Sequence, residues 1–237
     1  ELSRLLATFG GFEQRRLAAV GFIAEDLGNA LSDPSESVRL RAAMQAGMSP
    51  APEYVGLLVE RCAVEPDFYV RDMLTWALIQ HDHQRVIAMV LPELHSPVSQ
   101  ARAQALHTLS KVGDAGVWPA IGPALLEDPA DEVARTAWRT AAALAPAKSR
   151  PWLAERLATQ WGRGGRDVQL SLSRALCALG EDALPVIDRA IASDSEGVRL
   201  HALATRQLLA NPDMSFDTAL EHAKRVHALR GAPLIGD

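Results

Sequence analysis

Aromatic residues make up only 5% of this chain, and long runs of β-branched residues are missing. A core that has neither is built from small and aliphatic side chains, which suits closely packed helices better than sheets. No stretch of about 18 apolar residues occurs, so the sequence offers no membrane span. Basic excess is missing too: 24 Lys and Arg stand against 29 Asp and Glu, for a net charge of -5. Such a molecule has no overall field for holding nucleic acid non-specifically, although a local basic stripe is left open. Cysteine is scarce. Cys62 and Cys177 each sit in an apolar helical pattern, where a reduced thiol acts as a small hydrophobe and neither a disulfide nor a metal role is expected. The chain begins with Glu1 rather than Met and shows no signal-peptide layout, so a processed or truncated, cytoplasmic protein is the expectation.

What the sequence does hold is 48% hydrophobic residues, enough for one large core, and a repeat. The stretch "DPADEVARTAWRTAA" at 128–142 recurs as "DPSESVRLRAAM" at 33–44, "EPDFYVRDMLTWAL" at 65–78, "SPVSQARAQALHTL" at 96–109 and "SDSEGVRLHALAT" at 193–205, with a weaker copy, "GGRDVQLSLSRAL", at 164–176. The first apolar residue of each copy is Val38, Val70, Ala101, Val133, Val168 and Val198, at spacings of 32, 31, 32, 35 and 30. Pro34, Pro66, Pro97 and Pro129 lie four residues before their anchors, where a fixed φ and a missing N–H stop one helix and set the turn. Ser35, Asp67 and Ser195 are placed to cap the next helix. Apolar residues at the anchor, +4, +7 and +8 then make one buried stripe, as in Val70, Leu74, Ala77 and Leu78.

Second helical segments fall between the copies at 52–63, 84–94, 115–127, 151–161 and 182–192, with Pro92 and Pro123 expected to kink or shorten theirs. A helix pair cannot bury its apolar faces alone, so neighbouring pairs stack into a shared core. The expected fold is all-α, an α-solenoid (superhelix) of about six helix pairs in a single domain, 1–237. Residues 1–31, broken at Gly10-Gly11, and 211–237, with a helix at 216–230 and a frayed end, read as the caps of a repeat region at 32–210.

The Asp-Pro, spacer, Val-Arg, Ala, Ala-Leu pattern, with "VGDAGVWPAI" and "LGEDALPVI" opening the partner helices, resembles the HEAT repeats of the subgroup related to phycobilin lyases. The resemblance covers roughly 30–210 and speaks strongly to fold and scarcely to activity. It implies a hydrogen-bonded ladder between units, formed by an acidic residue and an Arg six positions later. Asp33 with Arg39 and Glu65 with Arg71 fit, Ser96 with Arg102 fits less well, and Ala134 in the Arg place of the fourth copy is expected to interrupt the ladder.

The resemblance implies that the anchor-bearing helices line a concave face, so positions +3 and +6 are expected to face solvent there. The +6 set is Met44, Trp76, His107, Arg139, Arg174 and Ala204; the +3 set is Arg41, Met73, Gln104, Thr136, Ser171 and His201. A mixture of aromatic, imidazole and guanidinium groups suits acidic peptides or nucleic acid, while a merely solvated helix face is the plainer reading. Trp76 is either a binding anchor or a filler between units. The expected function is a non-enzymatic scaffold or adaptor that binds a protein or other acidic partner through Trp76, His107, Arg139, Arg174, Arg41 and Gln104. A regulatory or sensor domain of a larger protein is one alternative. The other rests on a distant resemblance of "FYVRDMLTWAL" to AlkD-like DNA glycosylases, which implies a site at Asp72 and Trp76, on one helix face, with Trp138 as a second aromatic. The acidic pI of about 5.8 disfavours nucleic acid.

No cofactor or metal ion is expected. HEAT-type deoxyhypusine hydroxylases hold iron with His-Glu dipeptides, and none of the seven histidines here precedes Glu. "HDH" at 81–83 reads as a polar turn, and "GRGGRD" at 162–167 as a flexible linker that could also offer amides and Arg163 and Arg166 to an anion.

Overall fold

The computed structural model describes residues 24–231, and all regular structure among them is helical: thirteen α-helices and short 3₁₀ turns, with no strand. The chain divides into two compact units, the first ending at Glu93 and the second beginning at Leu94.

In the first unit, α1 (Ala24–Leu31), α3 (Tyr54–Val64) and α5 (His83–Val90) form one layer, and α2 (Glu36–Met48) and α4 (Phe68–Ile79) form the other. The anchor-based stripe is buried as the spacing requires: Val70, Leu74, Ala77 and Leu78 of α4 pack inward with Ala42 and Ala46 of α2 and Leu58 of α3. Each buried Leu stabilises the fold by roughly 2 kcal/mol, so the stripe, rather than helix propensity, holds the pairs together. Small residues let α2 and α4 approach closely. A Cβ built on Gly47 would lie 2.9 Å from the Ala77 Cα, so only glycine fits there.

The second unit repeats the plan. One layer holds α6 (Ser99–Val112), α8 (Asp131–Leu144), α10 (Arg166–Leu179) and α12 (Glu196–Ala210), each packed on the next. The other holds the short α7 (Pro123–Leu126), α9 (Arg150–Ala158) and α11 (Leu184–Ile191), and α13 (Phe216–Gly231) packs on α12. Phe216, Ala219 and Ala223 of α13 close over Ala204 and Leu208, which makes α13 the covering helix that its pattern predicts.

Prolines shape the second-layer helices. Pro92 ends α5 at Val90 and leaves a 3₁₀ turn, Leu91–His95. The helix expected over 115–127 is instead a 3₁₀ turn, Ala115–Ala120, followed by the four residues of α7, because Pro119 removes a donor and Pro123 can only start a helix. Of the three expected caps, Asp67 accepts from the Val70 amide and Ser195 from the Val198 amide, while the Ser35 hydroxyl turns to Ser37 and caps nothing. The cap expected over 1–31, with its break at Gly10-Gly11, lies outside the described residues except for 24–31, as does the tail after Gly231.

Candidate binding groove

The turns that align the helices are closed by one recurring contact. Arg39, Arg71, Arg102 and Arg199, each one residue after its anchor, donate from Nη1 to the carbonyl six residues earlier: Asp33 (2.9 Å), Glu65 (2.8 Å), Ser96 (2.7 Å) and Ser193 (2.5 Å). A turn that leaves a carbonyl facing the protein needs a donor, and the guanidinium supplies it while keeping an edge free for a second partner. For Arg39 that partner is the Glu65 carboxylate of the next copy, met by Nε at 2.8 Å and Nη2 at 2.9 Å; for Arg102 it is Asp128, at 2.8 and 3.1 Å. The ladder thus links neighbouring copies through these carboxylates. Within a copy the Arg takes the backbone carbonyl of the acidic residue, and the carboxylate serves the Arg of the copy before.

Glu65 is fully buried and also receives Arg61 and the Asp67 amide. Burial pushes its pKa up, but the hydrogen bonds from Arg39, Asp67 and Arg61 outweigh that and bring it down from 4.5 to about 2.

These turns set α8 and α10 side by side, and between them runs a groove of about 500 Å³. Arg135, Thr136 and Arg139 of α8 and Ser171 and Arg174 of α10 line it, over a floor that includes Ala142, Ala143, Ala175 and Ala178. Alanine on both helices leaves the space, and three guanidiniums make it cationic in a chain that is acidic overall. Arg135 donates to the Ser171 hydroxyl at 2.9 Å, and Glu132, the one acid of the lining, accepts from Ser99. The Arg139 pKa is lowered, first because the groove walls desolvate its otherwise exposed side chain and then by the charge of Arg135.

Of the expected site residues, Arg139 and Arg174 come together in this groove, with Thr136 and Ser171 from the +3 set beside them. Arg135 was not in either set. Its signal was the shift of Arg by one place in the fourth copy, which turns the side chain from the ladder to the groove. His107 and Gln104 are half-buried on α6, outside the groove lining. In the first unit, Arg41 is exposed and donates to the Ser37 carbonyl, and Asp72 is half-buried. Trp76 is half-buried against Gly47.

Other expectations are corrected. Trp138 is 0% exposed, with Nε1 donating to the Leu126 carbonyl, so it offers no face on which a flipped base could stack, and the glycosylase reading loses its second aromatic. Met73, His201 and Ala204 are buried rather than solvent-facing; α13 covers Ala204, and Trp161 and Phe216 pack edge-on against His201.

His201 also sits 3.1 Å from Ser173, a pairing that sequence order hides because the two lie on different helices. The Gly162 amide donates to Nδ1, so the ring proton is on Nε2, where the Gln169 carbonyl accepts it at 3.0 Å. Ser173 turns to Thr205 and is fully buried, so the group is a packed polar core rather than a nucleophile and base. Burial lowers the His201 pKa from 6.5 to about 4, against an opposing contribution from Gln169. Both cysteines are free thiols, with Cys62 pushed up to about 12 and Cys177 to about 11, mainly by burial. Among the described residues no three His, Cys, Asp or Glu side chains are grouped to hold a metal, and no helix is long and apolar enough to cross a membrane.

No family model matches the chain, and no curated protein matches it. Among solved structures it is similar to the complex of CpcE and CpcF of phycocyanin lyase from Nostoc sp., with 19% identity over 90% of this chain and 85% of that one, at a TM-score of 0.40. It is also similar to human deoxyhypusine hydroxylase in complex with glycerol, with 17% identity over 88% of this chain and 90% of that one, at a TM-score of 0.43. Both carry the names of enzymes, and with that finding the expectation of a chain that is not an enzyme does not stand. The recurring turn with its inward-reaching arginine, and the helix pairs that stack on it within each unit, make this an all-α helical-repeat chain.

Proposed function

We propose that the chain binds a partner protein, and that the groove between α8 and α10 takes an acidic segment of it. The observation that carries this reading is the pair Arg139 and Arg174, two groove-lining guanidiniums that form no hydrogen bond or ion pair among the described residues. A guanidinium left without a partner beside a second positive charge is suited to a carboxylate, which it can grip with two parallel hydrogen bonds. Arg135, already tied to Ser171, adds a third charge at a fixed place. The alanines of the lining leave room for an extended backbone, and the groove is open to solvent along its length.

Fluorescence anisotropy with a labelled Asp/Glu-rich peptide tests the reading. The unaltered protein should bind with an affinity that falls as salt rises, since the contacts are solvent-accessible. Replacing two of the three groove arginines, Arg139→Glu with Arg174→Glu, should weaken binding about tenfold or more. Melting should stay within a degree or two, because both side chains are exposed and unpaired. Binding that is equal in the two proteins, or absent from both, rejects the groove. Tighter binding of duplex DNA than of the peptide would reassign it to nucleic acid.

A further inference from the structure

The fourth copy has Ala134 where four other copies have their ladder arginine, and yet its turn is not left open. Arg163, from the loop between α9 and α10, reaches back and donates Nη2 to the carbonyls of Asp128 (2.6 Å) and Pro129 (3.2 Å). Those two acceptors correspond by repeat position to Asp33 and Pro34, which Arg39 takes, and to Glu65 and Pro66, which Arg71 takes. The rest of the guanidinium is engaged as well. Nε meets Asp131 at 2.9 Å, Nη1 meets the Gln160 side chain at 3.0 Å, and the charge lies 5.8 Å over the Trp138 ring.

The loop is built for this reach. Gly162 and Gly164 have φ of 77° and 64°, and a Cβ on Gly164 would come within 2.8 Å of Val168, so the tight reversal that presents Arg163 needs glycine at both places. The other end of the loop is tied to α12 by the Gly162 amide and His201. The extra residues that stretch the anchor spacing to 35 fall in this segment, one copy after the arginine is lost from its usual place. The insertion therefore fills a gap in the ladder and is no loose linker.

We infer that Arg163 is the missing rung, supplied from the following turn, and that it positions α8 against the start of α10 and so fixes the width of the groove between them. The first part stands on the hydrogen bonds alone; the second rests on the groove being the binding site. Arg163 is a positioning residue and touches no bound segment.

The test moves the rung back into register. Arg163→Ala should lower the melting temperature by roughly 5 °C or more and weaken the acidic peptide several-fold. Adding Ala134→Arg to that variant should recover at least half of both losses, because that register already holds Arg39, Arg71, Arg102 and Arg199 in their copies. Ala134→Arg alone should gain nothing, since two guanidiniums would compete for one carbonyl. Arg163→Lys should not rescue, for an ammonium lacks the planar fork. If Arg163→Ala does not fold, a folded double variant supports the rung and an unfolded one overturns it. A melting temperature unchanged in Arg163→Ala, or a double variant no better than the single, also overturns it. Melting that follows the swap while peptide affinity does not would remove the positioning of the groove and leave the rung. If the peptide fails to bind the unaltered protein, the groove falls and the melting arm still decides the rung.

Discussion

The turn at Glu65 in the first unit and the turn at Asp128 in the second occupy the same place in the repeat and are closed in different ways. At Glu65 the carbonyl is met by Arg71 from the helix that follows, and the carboxylate by Arg39 and Arg61. At Asp128 the carboxylate is met by Arg102, but the carbonyl waits for Arg163 from a later loop. What the two turns share is the set of acceptors, not the origin of the donor. A buried carbonyl must be satisfied whichever residue satisfies it, so a repeat can lose a donor from its pattern and regain it elsewhere without losing its shape.

The largest effect follows from how deeply each acid is set. The Arg39 and Glu65 side chains are 8% and 0% exposed, against 16% and 6% for Arg102 and Asp128. Glu65→Ala leaves a buried guanidinium without its counter-charge and should cost about 3–5 kcal/mol, enough to unfold the first unit at moderate urea. Asp128→Ala, where water can reach the orphaned Arg102, should cost about 1–3 kcal/mol. Urea unfolding followed by hydrogen exchange in each unit reads both values. An Asp128 loss equal to or larger than the Glu65 loss would break the comparison.

Acid should separate the units in the opposite order. The folded pKa of Glu65 is below its unfolded value, so its contribution is complete above about 4.5 and is lost as pH falls towards about 2. His201 is also lowered, so the native state resists a proton that the unfolded chain accepts; its contribution is complete above about 6.5 and is lost as pH falls towards about 4. Each shift corresponds to about 3 kcal/mol. Between pH 6 and pH 4.5 the second unit should therefore loosen while the first does not, with faster amide exchange in α10 and α12 as the readout. Equal protection of α2 and α12 across that interval would count against the buried neutral imidazole.

Most of the architecture was legible in the sequence because the repeat writes it six times. The anchors at Val70 and Val133, the prolines before them and the alanines after them each state a local rule, and the helices obey it. The +3 and +6 register also brings Arg139, Arg174, Thr136 and Ser171 to one groove, since helical spacing alone puts them on one face. It failed at His201 and Ala204, where a helix from outside the repeat covers the face that the register leaves open. It failed differently at Arg163. No period could assign that residue a partner 35 positions back, because its reach depends on two left-handed glycines and on a gap that Ala134 leaves. Ser173 with His201 was hidden for the same reason, as contacts between neighbouring helices do not show in the order of residues along one.

The smallest effects concern the seams between neighbouring helices of one layer, and they differ in kind. Between α2 and α4 the contact is steric: Gly47 lies under Trp76 and close to the Ala77 backbone, so Gly47→Ala must push a main chain aside and should cost about 1–3 kcal/mol despite the better helix propensity of alanine. Trimming the indole in the same protein, by Trp76→Leu, should return only part of this, because the Ala77 Cα does not move with the ring. Between α6 and α8 the contact is polar. The Thr140 hydroxyl sits 2.8 Å from the Thr136 carbonyl and 3.1 Å from the Leu106 carbonyl of the neighbouring helix. Thr140→Val keeps the shape and removes the donor, so the Leu106 carbonyl keeps its bond within α6 and loses only the second one. A cost of about 1 kcal/mol or less is expected by urea unfolding, and a loss above that of Gly47→Ala would mean that the second unit is held at this seam by the hydroxyl rather than by the apolar stripe.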